Sequence, residues 1–302
     1  MREEMRGTMQ TVALPNDLKV YAPSELEART LYWEIFTERV YSSHGVSVTD
    51  GDCIFDVGSN IGLYSIFLTR SYRDLKIFAF EPIPQTFAIL RKNAETHLKD
   101  SQIELFNFGL SNKPGKARFE YDRFIGLAAT MRPEEVDSCV RKDAGMRVWA
   151  AAGISDLQRI SVLSAGFAAR LQYVLSKPYL GWFLAALMMA LLILSIIRKR
   201  LFLQKIECEL KTLSDVIRGY EVGAIDLVKI DVEGSESDVI EGIAEEHWSR
   251  IKQFVVEVHN VNGRVERMKS LFEAKGYRTT VSQEEWEVHK LINAYTIYAV
   301  RD

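Results

Sequence analysis

Short apolar runs alternate with amphipathic stretches along most of the chain. The first run, Ile54–Val57, leads through a glycine-containing turn into a stretch with helical periodicity at residues 62–71. A continuous apolar run of this length is typical of a strand buried on both faces of a parallel sheet. The same pattern predicts further strands at Lys76–Glu81, Ile103–Phe108, Asp226–Val232 and Gln253–His259. Strands that alternate with helices predict an α/β fold built on a doubly wound, mostly parallel sheet.

Helices are predicted from the spacing of apolar residues and from residues suited to capping. Ser24 is placed to cap a helix that runs to about Tyr41, because Glu27 follows it three residues later. This leading helix is expected to cover a ligand site or to pack on the sheet edge. Further helices are predicted at Pro84–His97, Thr212–Ile217, Ser235–Glu246 and Gly263–Lys275. Other strands are predicted near Leu18–Tyr21, in a hairpin at Gly115–Met131, at Ile206–Leu210, and in an antiparallel closing pair at Tyr277–Val281 and Tyr295–Val300.

Residues 135–204 interrupt this pattern. Within them lies the apolar segment 178–200, whose charge-free core would be about 29 Å long as a helix, about the thickness of a bilayer's hydrocarbon layer. Trp182 near one end and Arg198–Arg200 at the other suit interface anchors. A single crossing would put strands of one sheet on opposite sides of the membrane. We therefore predict a monotopic helical hairpin on the cytoplasmic leaflet, with residues 148–175 as the partner. A soluble cytoplasmic protein with an oligomer interface or a lid there is the alternative.

Composition and charge narrow the possible partners. The chain has 302 residues, of which 47% are hydrophobic and 26% charged, which is ordinary for a globular protein. The net charge of −3 provides no basic field, so no nucleic-acid partner is predicted. The cysteines, Cys53, Cys139 and Cys208, lack metal-ligand spacing and are expected to be free thiols in a reducing cytosol. The polar N-terminus shows no secretory signal.

The interruption divides the chain into four predicted parts. Residues 1–49 form an N-terminal segment with the covering helix, and residues 135–204 form the helical insertion. Residues 50–134 and 205–302 are two halves of one α/β domain.

The turn after the first strand indicates which cofactor the domain binds. Gly58 and Gly62 remove side chains where a ligand and the next helix come close. The dinucleotide pattern G-x-G-x-x-G fails twice, because Asn60 and Leu63 stand where it requires glycine. Glu81 ends the second strand, where a carboxylate can accept both hydroxyls of an adenosine ribose. S-adenosylmethionine has a ribose and no phosphate, and it is the predicted cofactor.

The candidate cofactor-binding residues follow the carboxyl ends of the first three strands. In an open parallel sheet, ligands bind beyond these ends. The candidates are Asp56, Gly58, Ser59, Asn60, Gly62, Glu81, Phe108 and Gly109. Of these, Phe108 or Gly109 is expected to touch the adenine ring.

Six ordered motifs resemble the FkbM family of S-adenosylmethionine-dependent methyltransferases. In chain order they are DVGSNIGLYS, FAFEPIPQTFAILRKNAE, NFGLSNKPG, TLSDVI, LVKIDVEGSESDVIEG and VVEVHN. The resemblance covers about residues 50–125 and 205–300. It implies a class I methyltransferase fold, which is Rossmann-like, and most often methyl transfer to a hydroxyl oxygen. We therefore expect an O-methyltransferase for a sugar, lipid-linked or polyketide-type acceptor. A non-catalytic docking protein that keeps the fold is the competing hypothesis.

The candidate catalytic residues lie at the ends of the fourth and fifth strands. His259 is the first candidate for the base that removes the hydroxyl proton, since imidazole titrates near neutral pH and Glu257 could fix its tautomer. Asp231 is the second candidate, and Glu233 is placed to hold the acceptor or to cap the next helix. Lys229 is expected to be an internal ion-pair partner.

A metal-assisted mechanism is the alternative to a histidine base, although no metal is our first expectation. Such a site would use Asp231, Glu233, Glu257 and His259 to bind a divalent cation that activates the acceptor. The remaining histidines are expected to be solvated on loops or helix faces: His44, His97, His247 and His289.

Overall fold

The computed structural model describes residues 9–98, 102–122, 125–130, 146–177, 186–187, 204–283 and 287–301. Its strands are β1 Gln10–Leu14, β2 Leu18–Ala22, β3 Cys53–Val57, β4 Lys76–Phe80, β5 Gln102–Phe106, β6 Gly109–Leu110, β7 Gly115–Asp122, β8 Ile125–Thr130, β9 Gln204–Lys211, β10 Leu227–Ile230, β11 Gln253–His259, β12 Arg278–Ser282 and β13 Ala294–Val300. Its α-helices are Glu25–Tyr32, Leu63–Ser71, Pro84–His97, Met146–Arg159, Ala165–Ser176, Leu213–Gly219, Glu236–Glu241, Arg264–Ala274 and Glu287–Leu291.

The central sheet has the strand order β12-β13-β11-β10-β3-β4-β5 among the described residues. The strands from β11 to β5 pair in parallel, whereas β13 runs antiparallel to both of its neighbours. The predicted doubly wound, mostly parallel sheet with an antiparallel last strand is therefore confirmed. The carboxyl ends of β3, β4, β10 and β11 meet at one edge, where ligands of such sheets bind.

Side chains of the central strands alternate between two apolar cores. Ile54 of β3 packs in one core and its neighbour Phe55 in the other. Leu227 and Val228 of β10 divide in the same way. Burying such a side chain stabilises the fold by about 1.5–3 kcal/mol. Helices cover both faces, so the strands read as continuous apolar runs rather than alternating ones.

The N-terminal helix is shorter than predicted. Ser24 does cap it, since its hydroxyl oxygen accepts a hydrogen bond from the backbone N–H of Glu27 at 3.2 Å. The α-helix ends at Tyr32 and continues as a π-helix to Thr37. Arg39 then adopts a left-handed conformation with φ 53° and turns the chain toward the sheet. The apolar spacing continues after Arg39, but there the residues contact distant parts of the chain instead of forming a helix.

Other predicted boundaries also moved inward. The strand predicted to end at Phe108 ends at Phe106, and the strand predicted at Asp226–Val232 covers only Leu227–Ile230. The helix predicted to reach Glu246 ends at Glu241. Gly242 follows it, and a side chain there would come within 2.2 Å of a backbone oxygen of Ser111. The predicted hairpin is confirmed as β7 and β8, and β9 pairs with β7 and with β6.

The described part of the insertion is a pair of helices that packs on the domain. The carboxylate of Asp156 accepts a hydrogen bond from the backbone N–H of Glu287 at 3.2 Å. The guanidinium of Arg159 lies 5.8 Å from the ring centroid of Trp33. Among the described residues, no helix is both long and apolar enough to cross a membrane. The apolar segment 178–200 lies outside the description except for residues 186–187, so the membrane anchor stays a prediction.

The prediction that His247 is solvated is wrong. The turn Glu245–Arg250 directs its ring inward, where Nδ1 lies 2.8 Å from the hydroxyl of Ser214, and burial lowers its pKa.

Cys53 and Cys208 are free and buried, and burial raises the pKa of each thiol to about 11. Cys139 and the side chain of His289 lie outside the description.

Candidate active site

A cleft opens at the carboxyl ends of β3, β4 and β10. Four of the eight candidate cofactor residues line it, namely Gly58, Asn60, Glu81 and Gly109. Two of the three candidate catalytic residues, Asp231 and Glu233, line the same cleft. The sheet edge therefore brings together residues that the sequence separates by more than a hundred positions.

The other four candidate cofactor residues support the cleft from behind and do not line it. Asp56 is fully buried and accepts a hydrogen bond from the hydroxyl of Ser65 at 2.9 Å. Ser59 donates its hydroxyl proton to the backbone oxygen of Asp56 at 2.6 Å. Gly62 begins the next helix, and Phe108 packs in a cluster of aromatic rings. Direct contact of these four residues with a cofactor stays a prediction.

Gly58 allows the first turn to touch the loop after β10. Its φ is +77°, and a side chain there would come within 1.8 Å of the backbone oxygen of Asp231. Its own carbonyl oxygen accepts a hydrogen bond from Nζ of Lys229 at 2.8 Å. Glycine is therefore required both by the conformation and by the close approach.

We expect Gly58→Ala to lower the free energy of unfolding by more than Gly51→Ala does. Gly51 has a similar φ of +87° but nothing within 4 Å of a side chain, so its substitution isolates the conformational strain of about 1–2 kcal/mol. Gly58→Ala adds the clash with Asp231. Urea unfolding of both variants measures the difference, and equal losses would contradict the role of close approach.

Glu81 is a buried carboxyl group on the cleft wall. It is 6% exposed, and its Oε1 accepts a hydrogen bond from the backbone N–H of Ile83 at 2.8 Å. Burial raises its pKa to about 8, although the backbone N–H groups of Ile83 and Asn60 and the charge of Lys229 favour the carboxylate. The group therefore lacks enough hydrogen-bond donors to be fully ionised at neutral pH, and a ligand with hydroxyls would supply them.

Lys229 lies beneath the cleft between two carboxylates. Its Nζ is 3.5 Å from Oδ1 of Asp56 and 3.5 Å from Oδ2 of Asp231. Burial by itself lowers the pKa of Lys229, but the surrounding carboxylates, with Asp231 and Asp56 foremost, raise it by more. The predicted internal ion pair is confirmed, and its positive charge is held by carboxylates rather than offered to a ligand.

The loop after β10 is held in a strained conformation. Glu233 has φ 51°, which is uncommon for a residue with a side chain. The buried carboxylate of Glu236 accepts a hydrogen bond from the N–H of Gly234 at 2.7 Å and pairs with Arg264 at 3.3 Å. Burial raises the pKa of Glu236 to about 7 despite these contacts. This pair fixes the turn that directs Glu233 into the cleft.

His259 lies behind Glu233 rather than on the cleft wall. It is 3% exposed, and its Nε2 lies 3.9 Å from Oε2 of Glu233. The sequence predicts both residues at the same sheet edge, but it does not indicate which of the two lies nearer the cleft. The structure places Glu233 between His259 and the cleft, and the role of His259 as the base stays a prediction.

The four residues of the metal alternative do not converge. Within the described ranges, no group of three His, Cys, Asp or Glu side chains is arranged to hold a metal ion. Asp231 turns toward Lys229, whereas Glu233 turns toward His259. Asp231 and Glu233 therefore contact different side chains, and their geometry does not support a shared cation.

Two residues of the cleft wall carry a buried polar atom without a hydrogen-bond partner. These atoms are Oδ1 of Asn60 and Oγ of Ser235, within the part of the chain that the structure describes. Buried polar atoms are normally paired, so a small rotation of either side chain toward the cleft would let it bond to a ligand. Ser235 was read from the sequence only as the start of a helix, although it stands four residues after Asp231.

The side chains of the cleft favour a ligand with hydrogen-bond donors. Glu81, Asp231 and Glu233 line it, and no lysine or arginine lines it among the described residues. A pyrophosphate would meet no positive side chain on these walls, whereas ribose hydroxyls and an ammonium group would meet carboxyl oxygens that accept hydrogen bonds. The residues present therefore fit S-adenosylmethionine.

The sheet and this acid-lined cleft define a class I methyltransferase. The profile of the methyltransferase FkbM domain matches residues 192–279. The 31-O-demethyl-FK506 methyltransferase FkbM of Streptomyces tacrolimicus is 32% identical over 282 residues, 93% of each chain. Methyltransferase sdnD of Sordaria araneosa is 29% identical over 277 residues, 89% of each chain. The chain belongs to the FkbM family of methyltransferases, and its cofactor is S-adenosylmethionine.

A comparison with solved structures finds a match to about half of one further protein. The methyltransferase FkbM from Methylobacillus flagellatus is 10% identical, with a TM-score of 0.46. The match covers 90% of this chain and 52% of that chain.

Proposed function

We propose that this methyltransferase transfers its methyl group to a hydroxyl oxygen of a sugar, lipid-linked or polyketide-type acceptor. The observation that carries the proposal is the cleft with three carboxylates, Glu81, Asp231 and Glu233, and no cationic side chain on its described walls. When bound, S-adenosylmethionine supplies a methyl group activated by the positive sulfur. The protein then has to align the acceptor and remove its proton.

We assign the cofactor end of the cleft to the residues that follow β3 and β4. Glu81 would accept hydrogen bonds from the ribose hydroxyls, and Asn60 offers a further acceptor atom. Gly109 also lies on the wall, and a side chain there would come within 2.9 Å of the Leu210 side chain, so glycine allows this wall to pack closely. Asp56, Ser59 and Gly62 would hold this wall from behind.

The acceptor end is assigned to the loop after β10. Glu233 reaches the cleft, and Nε2 of His259 lies 3.9 Å from its carboxylate. We propose that Glu233 takes the hydroxyl proton at its carboxylate and that His259 stabilises or receives it at Nε2. Asp231 on the same wall would orient the acceptor hydroxyl. His259 thus keeps a role in proton removal, and Glu233 lies between it and the substrate.

The names of relatives support an oxygen acceptor. The relative from Streptomyces tacrolimicus is named for an O-demethyl acceptor, which is a molecule that lacks a methyl group on oxygen. A carboxylate paired with a histidine suits proton removal from a hydroxyl, since a general base contributes about 10²–10⁴-fold to such a step.

Calorimetry and mass spectrometry test the proposal. The protein should bind S-adenosylmethionine and should not bind NAD. Extracts of sugars and lipids, incubated with the protein and labelled cofactor, should yield a product with the label on oxygen. A product labelled on nitrogen or carbon would overturn the choice of acceptor. Absence of cofactor binding would favour a non-catalytic docking protein.

We also propose that the insertion attaches the protein to the cytoplasmic side of a membrane. The described insertion helices and the loop between them expose large apolar side chains at Val148, Val162, Phe167 and Tyr173. The charge-free stretch 178–197 follows these helices directly in the sequence. A lipidic or lipid-carried acceptor would then reach the cleft from the membrane.

Deletion of residues 178–200 should release the protein from vesicles, because it removes the longest apolar stretch of the insertion. The measurement is flotation with anionic lipid vesicles. Tyr220→Ser is the control, since Tyr220 is also exposed but lies outside the insertion. If the deletion variant floats with the vesicles as the wild type does, the anchor proposal is wrong.

A further inference from the structure

Tyr41 contacts a side chain of the cleft from the N-terminal segment. Its hydroxyl donates a hydrogen bond to Oδ2 of Asp231 at 3.0 Å, although the two residues are 190 positions apart. Its ring also lies 5.1 Å from Nζ of Lys229. We infer that Tyr41 is a positioning residue that orients the carboxylate of Asp231 toward the acceptor, an inference that rests on the proposed O-methyl transfer.

The segment around Tyr41 is held firmly against the sheet. The hydroxyl of Tyr298 donates to the backbone oxygen of Val40 at 2.8 Å. The side chain of Gln253 exchanges two hydrogen bonds with the backbone of Ser47, at 2.9 and 2.8 Å. Tyr41 itself is 2% exposed. Its hydroxyl therefore has a defined position, which is the requirement for orienting another side chain.

The contacts of Asp231 leave one of its oxygens for the cleft. Tyr41 and Lys229 both approach Oδ2, at 3.0 and 3.5 Å. Oδ1 of Asp231 is then the oxygen that can accept a hydrogen bond from an acceptor hydroxyl. Without Tyr41, the ion pair with Lys229 would be the remaining contact among the described residues that orients this carboxylate, and Lys229 also pairs with Asp56. A shared ammonium group orients a carboxylate less strictly than two donors do.

The alternative is that Tyr41 only fills space. Its ring packs edge-on against Tyr64, with centroids 5.2 Å apart. A filling role needs the ring, whereas a positioning role needs the hydroxyl. Tyr41→Phe keeps the first and removes the second, so it separates the two roles without opening a cavity.

Tyr41→Phe should lower kcat by about 10-fold or more, because a hydrogen bond to a charged group is lost from the reacting geometry. The KM for the acceptor and the Kd for S-adenosylmethionine should be unchanged. Tyr64→Phe is the matched control, since it removes a hydroxyl from the same aromatic pair, and that hydroxyl lies 3.5 Å from the backbone oxygen of Tyr41 rather than near Asp231. It should leave kcat as in the wild type.

A double-mutant cycle with Asp231→Asn completes the test. In the Asp231→Asn background, Tyr41→Phe should cause no further loss of kcat, because the carboxylate that Tyr41 orients is already altered. The same cycle in urea unfolding should show a coupling between the two side chains, which does not depend on activity.

Three results would overturn the inference. The first is a Tyr41→Phe variant with wild-type kcat, and the second is additive losses in the double mutant. The third is a loss of cofactor affinity and stability that matches the loss of kcat, which would indicate a structural role. A wild-type protein that binds the cofactor but methylates no hydroxyl would instead refute the proposed function, and the inference with it.

Discussion

Glu81→Gln is expected to weaken the binding of S-adenosylmethionine by about 100-fold, since hydrogen bonds to a charged group contribute about 1.5–3 kcal/mol each. Glutamine keeps the size of the side chain but offers a single neutral oxygen to the two ribose hydroxyls. Glu81→Ala should abolish detectable binding. Titration calorimetry measures both effects, and wild-type affinity in either variant would place the ribose elsewhere.

The raised pKa of Glu81 also predicts how binding depends on pH. Burial raises this pKa to about 8 in the free protein, whereas the bound hydroxyls favour the carboxylate. Binding should therefore release a proton near pH 7, and affinity should rise with pH until it levels off above the pKa. Calorimetry in buffers with different ionisation enthalpies detects the released proton. The Glu81→Gln variant should show neither effect.

The same group links pH to stability. Its folded pKa of about 8 lies above its ordinary value of 4.5, so the folded state keeps a proton that the unfolded state has lost. The stability that this group contributes is fully present below its ordinary pKa of 4.5. It decreases as the pH rises and is lost once the pH exceeds the folded pKa of about 8. Glu81→Gln should therefore resist urea better than the wild type at pH 8.

Glu236 provides the matched control for this stability gain. It is equally buried, but its carboxylate pairs with Arg264 at 3.3 Å. Glu236→Gln should gain less stability at pH 8 than Glu81→Gln does, because the raised pKa of Glu236 is only about 7 and the variant weakens the pairing with Arg264. If Glu81→Gln instead loses stability, Glu81 is a structural residue and its assignment to the cofactor fails.

His259→Ala is expected to leave cofactor binding intact and to remove turnover. The histidine supports Glu233 across 3.9 Å and does not line the cleft, so its loss should act on proton removal. We expect kcat to fall by about 100-fold or more, which is the range for loss of a general base. Glu233→Gln should reduce kcat to a similar extent, and the double variant should be no worse than either.

His247→Ala is the control for the loss of a buried histidine. His247 is as buried as His259 but bonds to Ser214, away from the cleft. It should reduce stability and leave kcat unchanged. Equal loss of cofactor binding and turnover in His259→Ala would show that His259 supports the fold rather than the reaction.

Much of the fold could be predicted from local patterns. Ile54–Val57 and the runs like it are continuous because their strands are buried on both faces, and this leaves a clear signal. Gly58 and Glu81 could be assigned because they follow strand ends, and parallel strands end at a common edge. Helix ends were less predictable: the first helical segment ends at Thr37, because the residues that follow it contact distant parts of the chain.

The sequence alone determined the order of strands and helices, the sheet edge that holds the cleft, and the resemblance to a methyltransferase family, because these depend on neighbours along the chain. Only the tertiary structure decided that His259 stands behind Glu233, that Asp56 lies beneath the cleft, and that Tyr41 reaches Asp231. The direction of a side chain at a strand end is set by the loop around it. In this protein that loop is shaped by contacts with Arg264 and Lys229, which no local pattern encodes.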